Sequence, residues 1–414
     1  MGFTIEQECP QCGAPVELDE TDRLLQCPYC EVRSFLFAKD YFRLALPHNA
    51  PEKDLIYAPY LRLKGTVYYC KGTKVEHRIL DITNVGTQLR GIPFSLGIRQ
   101  QCPKIKFITP ETQGLFLKFT LDQDEIFARA GKISTSTSNR GQFFHRAFIG
   151  ETFSLIYLPV YVKDNQLFDA FEKKPITKLH GDGSVLELTE SNPKWKLDFL
   201  ATLCPQCGWD LKGEKDSVVL TCSNCNTAWS AAEGKLVKVN VSSVADTGEN
   251  TLNLPFWKIP ATTESTDIVI HSFADFIRET GNTSTRAIKP EWENKEPNFW
   301  IPAFKIHPKV FLALSHRITL NLQAVATRKV IPEDNVYPVT LPKREAIESL
   351  KIVFANASKE HYKKDVYPLL PEIKFETKDS TLVYLPFTET SMEMIQQQSR
   401  INFFKAHLKI GRTL

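Results

Sequence analysis

Cys9-Pro-Gln-Cys12 is followed by Cys27-Pro-Tyr-Cys30, and the arrangement returns as Cys204-Pro-Gln-Cys207 with Cys222-Ser-Asn-Cys225. Fourteen residues separate the two pairs in both copies. Two cysteines three positions apart on a tight turn can direct both sulfurs at one ion, so each quartet can enclose one tetrahedral metal as four thiolates. A single pair would equally suit a redox dithiol. Two pairs at matched separation, occurring twice, point to metal ligation. Pro10, Pro28 and Pro205 pre-set a turn φ after the first cysteine of a pair. Gly13 and Gly208 follow the second cysteine, where a left-handed backbone is often needed. Asn226 tolerates that conformation in its copy, and Glu31 suits it less well.

These residues resemble zinc-ribbon (rubredoxin-like) modules, in which two β-hairpin knuckles grip one metal. The resemblance covers about residues 5–37 and 200–240. It implies two structural zinc ions, held by Cys9, Cys12, Cys27 and Cys30 and by Cys204, Cys207, Cys222 and Cys225, on short antiparallel sheets. It implies no enzymatic activity. Iron is the metal alternative, because rubredoxins use similar knuckles, although the connection here is shorter and Cys222-Ser-Asn-Cys225 lacks the Pro and Gly expected there. Disulfides or unliganded thiols are the remaining reading. Four thiolates leave no open coordination position, so such sites are structural.

With 414 residues, of which 42% are hydrophobic, the chain can bury substantial cores and divide into two or three domains. The N-terminus lacks a signal-peptide layout, and no stretch approaches the run of about twenty apolar residues a membrane span needs. Thiolate clusters persist in reducing surroundings, so the expected compartment is the cytoplasm. Cys70 and Cys102 stand outside the quartets and are expected to be plain thiols.

The duplication extends past the cysteines. Ala58-Pro59-Tyr60 parallels Leu254-Pro255-Phe256, Ile92-Pro93 parallels Ile301-Pro302, and Leu155-Ile-Tyr-Leu-Pro159 parallels Leu382-Val-Tyr-Leu-Pro386, all in one order. The expected fold is therefore α+β and β-rich, with two zinc ribbons each followed by a mostly antiparallel β domain in tandem duplication. The expected divisions are a ribbon over 1–40, a β domain over 41–197, a second ribbon over 198–240, and a β domain with one or two helices over 241–414. Strands are expected at 41–46, 55–69, 77–82, 115–121, 155–162 and 185–188. Proline cannot donate to a ladder, so the Pro-aromatic strands are expected at sheet edges or bulges, as packing or as a peptide-recognition surface. Helices are expected at 343–357 and 267–279, and 388–400 is either helix or hairpin. Segments 134–140 and 242–250 read as loops.

No phosphate-binding loop, nucleophile elbow, metalloprotease helix or dinucleotide fingerprint is present, and the nine histidines form no ligand-spaced pair. His180-Gly-Asp-Gly-Ser184 reads as a hairpin turn. The expected function is a non-enzymatic scaffold that docks other proteins through its β-rich platforms. Nucleic-acid binding is the alternative, resting on Lys104 with Lys106, Lys173-Lys174, Arg328-Lys329 and Lys363-Lys364. It is opposed by the first ribbon, where seven acidic residues face Arg23 and Arg33 alone. An enzyme of unrecognised type would need a pocket that joins carboxylates to a histidine.

Overall fold

The computed structural model describes residues 3–50, 54–97, 104–120, 142–179, 185–192, 195–232, 234–245, 250–265 and 267–412. The chain is β-rich, as expected. The first ribbon consists of β1 (Thr4–Glu8), β2 (Pro15–Asp19), β3 (Leu24–Gln26) and β4 (Arg33–Phe37). A platform follows, made of β5 (Phe42–Ala45), β6 (Ile56–Lys71), β7 (Lys74–Val85), β8 (Lys104–Phe107), β9 (Leu115–Leu117), β10 (Phe143–Lys163), β11 (Gln166–Asp169), β12 (Pro175–Lys178) and β13 (Thr189–Glu190). Its spine is the antiparallel pair β6 and β10. Both strands are buried on both faces over long runs, so they read as continuous apolar sequence without alternation. The ribbon is fused to this sheet, because β1 pairs in parallel with β8.

The Pro-aromatic strands are central, which corrects the expectation that they lie at edges. Pro59 sits in β6, which pairs with both β10 and β7, and Pro159 sits in β10 between β6 and its outer partners. The missing N–H groups fall where a ladder begins or changes partner. The Pro59 carbonyl accepts from Gly86 N just beyond the last β7 pair, Tyr60 with Val85. The Pro159 carbonyl accepts from Ala170 N, between the stretch paired with β5 and the stretch paired with β11. In an antiparallel strand the N–H and C=O of one residue face the same side, so each missing N–H lies toward these ladder ends and away from the β6–β10 pairing.

The second ribbon comprises β14 (Asp198–Ala201), β15 (Val219–Cys222), β16 (Thr227–Ala232) and β17 (Lys235–Val239). It leads into β18 (Val241–Ser243), β19 (Thr251–Glu264), β20 (Val269–Ile270), β21 (Asn298–Pro302), β22 (Glu376–Thr377), β23 (Thr381–Glu389), β24 (Glu393–Gln396) and β25 (Ile401–Phe404). The pairings of the two platforms correspond residue by residue. Pro59 opposes Tyr157 and Tyr57 opposes Pro159; likewise Pro255 opposes Tyr384 and Asn253 opposes Pro386. Gly86 N donates to the Pro59 carbonyl as Ala303 N does to that of Pro255. Leu46 N donates to Tyr157 O as Val244 N does to Tyr384 O. By these pairings Ile301-Pro302, in β21, matches the end of β7, whereas Ile92-Pro93 lies in the turn beyond it; that sequence parallel does not hold in position.

Between β19 and β23 the second half carries most of the helix: α1 (Phe273–Glu279), α2 (Pro308–Asn321), α3 (Lys343–Glu348), α4 (Leu350–Ala357) and α5 (Lys363–Val366), with α6 (Ala406–Gly411) at the end of the chain. Six helices among the described residues exceed the one or two expected. The helix expected over 343–357 breaks at Ser349, whose hydroxyl donates to Ala346 O. That expected over 267–279 begins only at Phe273, because Ser272 and Asp275 form a capping box while Val269–Ile270 joins the sheet. The 388–400 segment is a hairpin arm, and 186–188 is a 3-10 turn where a strand was expected. The 134–140 loop, the His180–Ser184 turn, Cys102 and residues 246–249 of the 242–250 loop lie outside the described residues; Ser242 and Ser243 belong to β18.

The largest core crosses the expected domain boundary. Tyr68, Cys70, Ala147 and Ile149, from the far ends of β6 and β10, pack with α2, α4 and β19 of the second half. The Tyr68 and Phe311 rings lie 5.6 Å apart between centroids.

Candidate metal centres

All eight predicted ligands come together as two quartets, within each of which the candidate ligand atoms lie within 4.8 Å of one another. In the first ribbon the Cys9–Cys30 and Cys12–Cys27 Sγ separations are 3.7 and 3.6 Å. In the second, Cys204–Cys225 and Cys207–Cys222 are 3.6 and 3.5 Å apart. A disulfide would need about 2.05 Å. Four sulfurs at about 2.3 Å from a tetrahedral ion lie about 3.8 Å from one another, close to the spacing observed. The thiols are therefore arranged for a shared ion.

The knuckles explain the local residue types. Cys9 N donates to Ala14 O and Gly13 N donates to Cys9 O, which closes the turn with Gly13 at φ 74°. Gly208 repeats it at φ 74°. Asn226 and Glu31 hold the matching place in the second knuckles at φ 53° and 59°. Glu31 thus takes a left-handed conformation that a glycine would adopt without strain.

Hydrogen bonds favour the thiolate at Cys27 in the first quartet and at Cys204 and Cys207 in the second. The Cys30 backbone amide, aided by that of Tyr29, draws the Cys27 thiol down to about 6 against the effect of burial. At Cys204 burial opposes ionisation, but the Thr227 hydroxyl and the Gln206 and Cys207 amides outweigh it and bring the thiol to about 6. Thr227 Oγ1 lies 3.1 Å from Cys225 Sγ and 3.6 Å from Cys204 Sγ, and accepts from Trp229 Nε1 at 2.9 Å. The first ribbon has Val32 and Ser34 at these places. This supporting shell escaped the sequence reading; its only signal is a Thr and a Trp two and four residues past Cys225.

The ribbons pack on each other. β14 pairs with β4, Lys215 O accepts from Arg23 N and Leu24 N, and Leu24 and Phe35 share a core with Cys204, Leu220, Cys222 and Trp229. The acidity of the first ribbon serves internal attachment. Lys104 bridges Glu6 and Glu17 at 3.0 Å each, and Arg62, 1% exposed, holds Glu20 at 2.8 Å and Asp81 at 2.8 Å. Lys104 and Lys106, counted among the basic stretches, face Glu6. Cys70 is buried in the large core, with its thiol pushed up to about 12 by burial.

A cleft of about 650 Å³ between the halves brings His145 near Glu151 and Glu348, a grouping invisible in the sequence. His145 Nε2 makes no hydrogen bond, and Glu151 and Glu348 instead pair with Arg344 at 3.2 and 3.3 Å. Among the described residues no hydrogen bond joins the histidine to either carboxylate. Among the described residues no helix is long and apolar enough to cross a membrane. No family model, curated protein or solved structure matches the chain.

Proposed function

We propose that the chain is a non-enzymatic zinc protein whose two ribbons present a rigid surface to protein partners in a reducing compartment. Zinc is the metal this reading assigns to both quartets, because closed four-thiolate shells suit a redox-inert structural ion. One observation carries the interaction reading: each ribbon holds an aromatic side chain outward on a metal-clamped knuckle. Tyr29, between Cys27 and Cys30, is 69% exposed, and Trp209, just after Cys207, is 59% exposed, beside Leu203 at 51%. A large aromatic fixed on a stiff turn loses little entropy on binding, and such residues dominate interface energetics. The burial of the Pro-aromatic strands removes them as a recognition surface and leaves the knuckles as the favoured one.

The two ribbon–platform units are further proposed to be copies of one ancestral unit, with boundaries at 1–197 and 198–414. The matched registers around Pro59 and Pro255 support this, together with the repeated cysteines. The test of function is cross-linking of the zinc-loaded chain in native extract, followed by mass spectrometry. A partner should cross-link near Tyr29 or Trp209, and the Tyr29→Ala, Trp209→Ala double variant should keep both zinc ions and lose it. Cross-links unchanged in that variant would refute the knuckle surface.

A further inference from the structure

The cleft between the halves is lined by four Arg or Lys side chains against three carboxylates. It runs along β10 from His145 to Phe153 and faces α3 and α4, with Arg23 of the first ribbon at one end. Its three carboxylates are occupied. Asp40 pairs with Arg43 at 2.6 Å and accepts from Trp195 Nε1 at 2.9 Å, while Glu151 and Glu348 both pair with Arg344. Three other cations line the same space without a carboxylate partner. Among the described residues Arg23 forms no ion pair, but it donates to the Glu20 and Asp22 carbonyls at 3.4 and 3.0 Å, lies 4.8 Å over the Phe42 ring, and feels Glu20, Asp22, Glu345 and Asp216 at longer range. Among the described residues Lys351 donates to the Pro371 carbonyl alone, at 3.3 Å. Arg146 has no hydrogen-bond or ion-pair partner among the described residues, and its buried Nε is unsatisfied. Burial alone lowers the Arg146 pKa, with no neighbouring charge to offset it.

A partly desolvated guanidinium without a counter-charge is unfavourable, and an unmet buried donor costs about 1–3 kcal/mol. Native proteins seldom keep either without a use. Two such cations, Arg146 of the first platform and Lys351 of α4, converge with Arg23 of the first ribbon on one space at the seam between the halves, where ligand sites preferentially form. Glu151 does not oppose an incoming anion strongly, since Arg344 holds its Oε1 and burial with the nearby Glu345 pushes its pKa up to about 8. The aromatic rings of Phe148, Phe153 and Phe375 line the remaining wall.

We propose that this cleft binds a small organic oxyanion, a phosphate or a carboxylate, through Arg146, Arg23 and Lys351, with its apolar body against the phenylalanines. The site is separate from the knuckles and does not depend on the protein-docking reading. The test is isothermal titration of the zinc-loaded full chain with phenyl phosphate and, separately, with benzoate. At least one should bind saturably and more weakly as salt is raised, and the one preferred identifies the oxyanion. Arg146→Gln removes no side-chain bond among the described residues, so it should leave the melting temperature unchanged or raised and weaken binding at least tenfold. Should that variant fold poorly, Lys351→Gln is expected to weaken binding in the same direction. Absence of saturable binding by both probes, or binding unchanged in the variants, would overturn the proposal.

Discussion

Val32 and Thr227 occupy the same place, two residues after the last ligand of each quartet, and only Thr227 can hydrogen-bond to the sulfurs. Groups that orient ligands from behind typically change metal affinity by about 10- to 100-fold when removed. Thr227→Val should therefore speed metal loss from the second ribbon to a chelator by about tenfold or more, leaving the first ribbon's rate unchanged; equal rates before and after would show that the hydroxyl is idle. Arg62 offers a second residue-level test. It is buried between Glu20 and Asp81, and its removal strands Glu20 at 4% exposure. Arg62→Ala should cost about 3–5 kcal/mol in denaturant unfolding, and a loss under about 1 kcal/mol, the range of exposed ion pairs, would contradict the buried clasp. The ligands were legible because each knuckle is local in sequence. Thr227 and Arg62 were not, since one looks like an ordinary strand residue and the other's partners lie 42 and 19 positions away.

Elements were legible where periodicity was strong and misread where neighbours decide. The long apolar runs gave β6 and the 155–162 end of β10, but a strand cannot reveal from its own sequence which edge its proline faces, so Pro59 and Pro159 were placed at sheet edges. In α1, Ser272 and Asp275 satisfy each other's backbone donors, and Val269–Ile270 just before them pairs with β19; the helical spacing alone ran straight through both. Ser272→Ala should destabilise the second half by about 1 kcal/mol through the lost cap, read as faster hydrogen exchange in α1. No change in that exchange would mean that the cap is redundant. The α2 helix carried a readable signal, Pro308 at its first turn with Phe311, Leu314, Ser315 and Ile318 buried along one face.

At the scale of the molecule, the seam joins the halves through buried charge. Glu345, on α3, accepts from Gly150 N and Glu151 N at 2.5 and 3.2 Å, and Lys305 Nζ donates to Thr152 at 3.3 Å. Burial raises Glu345 to about 7 and Glu151 to about 8, and lowers Lys305 to about 8. Above their ordinary value of 4.5 the two carboxyls keep protons that the unfolded chain releases, so their contribution falls as pH rises toward 8. Lys305 acts in the opposite sense: from about 8 to its ordinary 10.5 the unfolded chain holds the proton that the folded one lacks, so stability recovers. Melting temperature against pH should dip near 8, and Glu345→Gln, which keeps an acceptor for both amides, should flatten the limb below it. An unaltered limb would place the pH dependence elsewhere. The seam was illegible in sequence because Arg23, Arg146 and Glu345 meet only after both units have folded.

The two quartets pin the ribbons and, through their shared core, the start of each half. Native mass spectrometry of the reduced, purified chain measures this most directly. The account predicts two zinc ions per chain, falling to one when Cys9 and Cys12 are replaced by serine and to one when Cys204 and Cys207 are replaced. One ion or none in the fully reduced wild-type chain, or two retained after either replacement, would contradict it.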